Sequence, residues 1–468
     1  MKALVDPQHA LAEGLAEIRR QFQLPGDFPP RVMAAADQAA RRTPDAHRDR
    51  TDIPFVTLDP ASSTDLDQAF AIERAGADLV LRYAIADVAW FVRDGDPIDA
   101  EAWTRGASQY LPDGKSRLYP ALLSEGAASL LPDGPRPAVI FIVRVAPDGT
   151  VKLDGAERAI VHSRAKLAYD SVRDADLPES FADLADRMAR AEERRGATRV
   201  DPPEQEVERD AQGRLKLRFR PRRPSEDRNA ALSLATNIAV AEALFAHRTG
   251  LFRVMAPPDD RAIGRLRQEA RALDLVWPCM ATLSQFERTL DPADPRHAAF
   301  MLAVRRAGNG ASYQPYVEGE IPWHAAVGAT YAHATAPLRR LADRYVVRAA
   351  LAVANGEPVP DAATEAFTRL PDVMSAADRL GGQIDRAAID LAEAVMLDGQ
   401  EGEIFDAVVT DMDDRSARIR LKNLPVVARV SAPDAGPGDS ICVALTEADP
   451  ARRTIRFSLE QRETAQTG

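Results

Sequence analysis

The hydrophobic repeat of this chain changes along its length, mainly two residues from 51 to about 170, mostly about 3.6 from 228 to 398 and two again from 404, so neither an all-helical nor an all-β fold can accommodate it. Short strands are predicted at Phe55–Leu58, Ala69–Glu73 and Leu79–Ala86, the last two joined by the turn Ala75-Gly76-Ala77-Asp78. Ala138–Val145 (AVIFIVRV) is a nearly continuous apolar run, as suits a strand covered on both faces, and Val151–Ser163 returns beyond Pro147-Asp148-Gly149. Residues 172–200 read as helical. A hairpin follows, Val207–Arg209 against Arg214–Phe219 across Asp210-Ala211-Gln212-Gly213. It sets Leu215, Leu217 and Phe219 on one face and Lys216, Arg218 and Arg220 on the other. From 228 to 398 apolar residues recur at i, i+3 and i+4, with breaks at Pro257-Pro258, Gly308–Gly310 and Pro358–Pro360. Five short strands then follow at Ile404–Thr410, Ser416–Leu421, Val426–Val430, Ser440–Ala448 and Thr454–Leu459. They fit a small OB-type barrel or, without any nucleic-acid role, an SH3-like one.

Ahead of the first strand, Leu11, Leu15, Ile18 and Phe22 recur at helical spacing, LPGDFPP breaks the chain, and Val32–Arg42 forms a second helix. This pair fits a helix-turn-helix or a packing collar, and the collar is preferred. A length of 468 residues suggests roughly two to four domains. Only Cys279 and Cys442 occur, which excludes a disulfide framework and a cysteine-rich zinc cluster; both are expected to be buried and inert. No apolar signal region is visible from Met1 to Arg20. The longest apolar run, Ala230–Ala241, falls short of the ~20 residues of a membrane span, so a soluble, cytoplasmic protein with a buried helix there is expected. The net charge of −11 argues against a protein that coats nucleic acid but leaves room for a basic channel. Basic residues are 54 Arg and only 6 Lys.

Chemistry concentrates in Phe55–Phe70, FVTLDPASSTDLDQAF. Asp59, Asp65 and Asp67 lie in one loop, where mutual repulsion and burial raise carboxyl pKa values unless a cation compensates. Asp65 and Asp67 are spaced i, i+2 and project the same way from an extended segment, with Gln68 as a neutral oxygen donor beside them. An all-oxygen set of this kind suits Mg²⁺ or Mn²⁺ and not zinc. A solvated Asp-rich turn would show the same pattern.

Four further stretches stand in order after this loop: YAIADVAWFV (Tyr83–Val92), the segment Ser108–Val143, SRAKLAYDSV (Ser163–Val172) and YAHATAPLRRLADRYVVRAAL (Tyr331–Leu351). Together they resemble the catalytic (RNB) domain of the ribonuclease II family. Its D-x5-D-x-D-D pattern is met at Asp59, Asp65 and Asp67, with Gln68 in the fourth position. Its SPIRR-type motif carries Ala336 in place of serine. The resemblance implies an α+β fold: a helical module at 1–50, an RNB domain of mixed sheet or barrel wrapped by helices at 51–400, an OB-fold barrel at 401–461 and a frayed tail at 462–468. The well-known members carry two cold-shock barrels before the catalytic domain, and here about 50 helical residues precede it.

The resemblance also implies a processive 3′→5′ exoribonuclease that releases nucleoside 5′-monophosphates from single-stranded RNA; with no heptad, exposed apolar stripe or membrane-length run in the sequence, a monomer away from membranes is expected. Asp59, Asp65, Asp67 and Gln68 would hold Mg²⁺, with Mn²⁺ as a substitute, and Asp65, Asp67 and Arg339 would be catalytic. Tyr110 would clamp the 3′-terminal nucleotide, and Tyr169 would sense the ribose, although its usual glutamate partner near Ala231–Leu232 is absent. The family's second stacking aromatic finds no clear match around Arg199–Val207. Pro337 is expected in the first turn of a helix capped by Thr335, which places Arg339 at a helix N-terminus. A salt bridge from Arg339 to Asp343 is the structural alternative. Arg340, Arg344 and Arg348 share a helix face that lines the RNA path or meets water. Arg214–Arg223, with six basic residues and no acid, is the candidate phosphate-tracking surface, including Lys216, Arg218 and Arg220. His324 and His333 read as packing or RNA-path residues. Two other readings compete: a catalytically weak RNA-binding protein that keeps the fold, and a nuclease that also takes single-stranded DNA.

Overall fold

In the computed structural model the apolar run Ala138–Val145 lies within the strand Arg136–Val145, near the middle of a seven-stranded sheet, and is buried along most of its length. The structure describes residues 10–197, 204–209, 215–220, 223–292, 294–308, 310–412 and 416–460. Across the sheet the strands run Arg48–Asp49, Val151–Val161, Arg136–Val145, Asp78–Ala86, Gln68–Ala75, Val56–Asp59 and Ala165–Ala168. The two outermost pairings are parallel and the inner ones antiparallel. The turn at Pro147-Asp148-Gly149 needs its glycine. Gly149 has φ +75°, and a Cβ there would sit 2.4 Å from the Arg187 carbonyl oxygen.

The helix Pro224–Ala246 packs over the central strands. Ala230–Ala241 is only its middle: the whole helix has 23 residues and could cross a membrane by length and composition alone, yet 61% of its most apolar window is buried inside the protein. Phe70 stacks on Phe181 of the helix Phe181–Arg195 at 5.5 Å between ring centres. Helices Leu341–Ala354 and Asp361–Leu397 complete the main core. Helices Asp260–Ala272, Leu283–Glu287 and Pro295–Ala307 form a separate core in which Trp277 stacks on Phe286.

Both N-terminal helices spend their apolar faces inside this chain. Leu11, Leu15 and Ile18 of Ala10–Gln21 lie against Ile384, Ala388 and Leu391 of the long helix, while Val32, Ala36 and Ala39 of Pro30–Ala40 enter the main core. That is the geometry of a collar. The C-terminal strands Ile404–Met412, Ala417–Leu421, Val427–Val430, Ser440–Asp449 and Thr454–Glu460 form one five-stranded antiparallel sheet. Its two edge strands lie beside each other, nearly closing a barrel around Val409, Ile419 and Val443. The fold is therefore α+β, as expected.

Some expectations need correction. Cys279 is exposed and Cys442 is half-buried, so neither is an inert core thiol. Four short strands, Leu251–Val254 with Ser312–Pro315 and Trp323–His324 with Ala329–Thr330, interrupt the region read as helical. At two to four residues each, they are too short to register in a periodicity window. The hairpin turn 210–213, the segment 198–203 and the tail 462–468 lie outside the described residues.

Candidate active site

Alternation fixes the aspartate loop first. Between Asp65 and Asp67 stands Leu66, fully buried, so the flanking carboxylates are directed to the opposite side. Residues 60–67 join Val56–Asp59 to its antiparallel neighbour Gln68–Ala75. The loop backbone is clamped from behind. Ser129 Oγ accepts from Leu66 N at 2.9 Å and donates to the Thr64 carbonyl at 2.8 Å, and Leu130 N donates to the Leu66 carbonyl. Ala86 N reaches the Asp67 carbonyl.

Each carboxylate has different company. Asp67 is 5% exposed; its Oδ1 accepts from Leu338 N at 2.7 Å and its Oδ2 lies 3.4 Å from Arg339 Nε. Burial pushes its carboxyl up to about 8, with Arg339 and the Leu338 N–H offsetting part of the rise. Asp59 is pushed up to about 6, again by burial, eased by Arg339 and increased by Asp65. Its Oδ2 is buried without a hydrogen-bond partner. Asp65 is taken up elsewhere: Lys115 Nζ lies 2.7 Å from Oδ1, and the Tyr110 hydroxyl donates to Oδ2 at 3.3 Å. The Gln68 amide oxygen accepts from Ser233 Oγ at 3.3 Å, and Ser233 in turn meets the Tyr83 hydroxyl at 2.7 Å.

Arg339 arrives by a different route from the expected one. Its helix begins at Leu341, so Pro337 and Arg339 lie in a turn before it, and Thr335 does not cap it. Asp343 organises that turn: its carboxylate accepts from Ala336 N at 2.8 Å and holds Arg340 at 2.8 Å, so it pairs with Arg340 and not with Arg339. Ser108 N donates to the Arg339 carbonyl, and Leu341 N to that of Gly106. The same stretch continues into Gln109–Leu111, which carries Tyr110, a residue 46% exposed. One element thus sets both Arg339 and Tyr110.

Tyr169 N donates to the Asp59 carbonyl, and the Tyr169 hydroxyl accepts from Asn229 Nδ2 at 2.8 Å. Burial pushes that phenol up to about 12, so it keeps its proton and can donate. Asn229 is the partner that sequence reading missed; a buried amide inside an apolar helix was the available signal. Lys115, Ser129 and Ser233 were missed as well, and Asp343 was named only as a partner of Arg339. Lys115 carried a signal in its type, a lysine in a chain that uses arginine almost throughout.

Other expected RNA contacts have internal partners. Arg340 pairs with Asp343, Arg344 with Asp99, and Arg348 with Asp94, so the arginine face is not an open stripe. In the hairpin Glu204–Arg209 and Leu215–Arg220, the register sets Glu206 opposite Arg218, with Glu204 and Glu208 opposite Arg220 and Lys216. Arg220 pairs with Glu206 and Glu226. His324 is buried and pushed down to about 4, and His333 bonds to the Tyr313 hydroxyl at 2.8 Å, so both pack as neutral imidazoles.

A divalent cation suits part of this donor set. The carboxyls of the half-buried Asp59 and the buried Asp67 are both raised by desolvation, and Asp59 Oδ2 has no partner, which is the state a cation relieves. Among the described residues no three acidic, imidazole or thiolate groups converge on one point. Mg²⁺ does not require that, since one or two carboxylates with water and substrate phosphate commonly hold it.

A buried aspartate loop facing an arginine turn on a mixed sheet, followed by a five-stranded barrel, defines a ribonuclease II-type architecture. The chain belongs to that family: the RNB domain model matches residues 47–355, and that of the RNase II-type exonuclease C-terminal S1 domain matches 403–460. It is 27% identical over 426 residues to ribonuclease R of Aquifex aeolicus, covering 84% of this chain and 59% of that protein. Exoribonuclease 2 of Klebsiella pneumoniae is 28% identical over 412 residues, with 82% and 63% covered. The chain therefore spans about three-fifths of these relatives. The solved structure of Mycoplasma genitalium RNase R in complex with ribose methylated single-stranded RNA superposes with a TM-score of 0.86 at 21% identity, covering 98% of this chain and 79% of that one. Yeast Ssd1, a pseudonuclease, has a TM-score of 0.69 at 14% identity, covering 93% and 58%. These two likenesses bear on the fold.

Proposed function

We propose that this chain is a Mg²⁺-dependent 3′→5′ exoribonuclease that degrades single-stranded RNA to nucleoside 5′-monophosphates. The observation that carries this reading is the meeting at Asp67 of a buried carboxylate, the Leu338 N–H and the Arg339 guanidinium. Asp59 and Asp67 would hold the ion, with the charge of Asp65 beside them. When bound, Mg²⁺ supplies an activated water and neutralises charge on the leaving oxygen. Arg339, its side chain 46% exposed, donates to the scissile phosphate as negative charge builds there. The ring of the exposed Tyr110 stacks on the 3′-terminal base without reading it. The protonated Tyr169 hydroxyl, held by Asn229, faces the ribose. The five-stranded barrel adds a surface for the incoming strand.

A second reading, an RNA-binding protein with little activity, is favoured by Gln68. It brings no charge, and its amide oxygen is engaged by Ser233. A 5′-labelled single-stranded RNA of about 30 nucleotides, longer than the footprint of one barrel, separates the two. The exonuclease gives a ladder shortening from the 3′ end in Mg²⁺, absent in EDTA and in Asp67→Asn. Tight binding without shortening in Mg²⁺ or Mn²⁺ would leave the binding protein. A matched DNA oligonucleotide reports the sugar preference.

A further inference from the structure

Asp65 lies between a phenol and an ammonium. Tyr110 and Lys115 are directly opposed on the paired strands Gln109–Leu111 and Gly114–Ser116, and both reach this carboxylate. Lys115 Nζ also lies 2.6 Å from Glu125, whose carboxylate is forked by Arg117 at 3.0 and 3.1 Å. The side chains of Asp65, Lys115 and Glu125 are 11, 15 and 18% exposed. Asp65, Lys115, Glu125 and Arg117 thus alternate in sign and sum to zero. Both oxygens of Asp65 are used, as is the amide oxygen of Gln68. By contrast, Asp59 Oδ2 has no partner, and Asp67 Oδ2 has the longer 3.4 Å contact to Arg339.

We infer that Lys115 is the resident cation of Asp65, reserving that carboxylate from metal coordination, so that the site takes a single divalent ion through Asp59 and Asp67. This rests on the metal-dependent reading above. An ammonium suits the position because it is a compact point charge with three donors, able to sit between two carboxylates at short range where a planar guanidinium is less well matched. A second divalent ion would have to displace a cation held by two half-buried acids. Lys115 is therefore a positioning residue: it fixes Asp65 beside Tyr110 and keeps positive charge near the reacting phosphate without a second metal.

Mn²⁺ binding to the 468-residue chain, counted by the loss of free-ion electron paramagnetic resonance signal, tests this without relying on activity. The wild-type protein is expected to bind one Mn²⁺. In Lys115→Met, loss of the ammonium frees Asp65 and removes a repelling charge, so Mn²⁺ binds about tenfold more tightly or a second ion enters. Removing the pair together, in Asp65→Asn/Lys115→Met, is expected to restore one ion with an affinity within about twofold of wild type. Two ions on the wild-type chain, or an unchanged affinity together with an unchanged ion count in folded Lys115→Met, would overturn the inference while leaving the metal-dependent reading intact. If Lys115→Met fails to fold, the wild-type ion count decides alone. A folded wild-type chain that binds no Mn²⁺ and shortens no RNA would overturn both.

Discussion

Arg339 and Tyr110 are the residues with exposed chemistry at the site, and they act on different quantities. On the function proposed above, Arg339 stabilises charge that develops in the reaction, so Arg339→Ala is expected to lower kcat by about 10²- to 10³-fold and to change KM much less. Single-turnover shortening of labelled RNA checks this; an equal loss in binding would place Arg339 in RNA recruitment instead. Tyr110 offers a ring face whose stacking contributes about 1–3 kcal/mol per base. Tyr110→Ala should therefore weaken short-oligonucleotide binding by about 5- to 150-fold, by that same energy. Tyr110→Phe keeps the face and should bind like wild type. Equal weakening in both variants would mean that the hydroxyl, through Asp65, matters more than the ring.

At the scale of elements, the loop of residues 60–67 and the turn Ala336–Arg340 have a few backbone hydrogen bonds of their own and are braced from outside. Ser129 and Asp343 brace them through hydrogen bonds that include the buried Leu66 N and Ala336 N. Ser129→Ala orphans Leu66 N and removes the donor to the Thr64 carbonyl, at a cost of about 1–3 kcal/mol. A lower urea midpoint with an unchanged slope is the expected result, accompanied by reduced kcat because Asp65 and Asp67 lose their fixed direction. An unchanged midpoint would show that Ser129 is not what holds the loop. The helix expected to start at Pro337 with Thr335 as its cap starts instead at Leu341, just after Arg339, for a related reason. Asp343 binds Ala336 N and Arg340 from inside the helix, so the backbone stays in a turn through Arg340.

For the molecule as a whole, Glu393 ties three parts together. It is 3% exposed on the helix Asp361–Leu397, and its Oε1 accepts from Gln205 Nε2 of the hairpin at 2.5 Å and from Val427 N of the barrel at 2.7 Å. Burial raises its carboxyl from 4.5 to about 8, and those two donors offset part of the rise. A raised acid favours the folded state fully below its unfolded pKa. That stability is lost as pH climbs through the folded value, because the folded protein resists ionising it. The urea midpoint should accordingly fall between about pH 5 and pH 8, and Glu393→Gln should make that fall shallower. Identical slopes in the two proteins would count against Glu393 as the titrating group.

Much of this molecule was legible from local pattern. A change of period separates sheet, helices and barrel, because side-chain direction repeats every two residues in a strand and about 3.6 in a helix whatever lies nearby. Leu66 between Asp65 and Asp67 already placed both acids on one side, and Gly149 marked its turn. Charge partners were not legible. Lys115 meets Asp65 across 50 positions, Leu338 N meets Asp67 across 271, and Arg344 meets Asp99 across 245. No spacing rule spans such separations. The acids opposite the basic face of the hairpin were not legible either: its register sets Glu206 opposite Arg218, and Arg220 forms an ion pair with Glu206. The sequence by itself determined most of the longer strands and helices and which acids face together, since those depend on backbone geometry and neighbours a few residues away. Only the tertiary structure decided which buried charge answers which, since that depends on how remote segments pack.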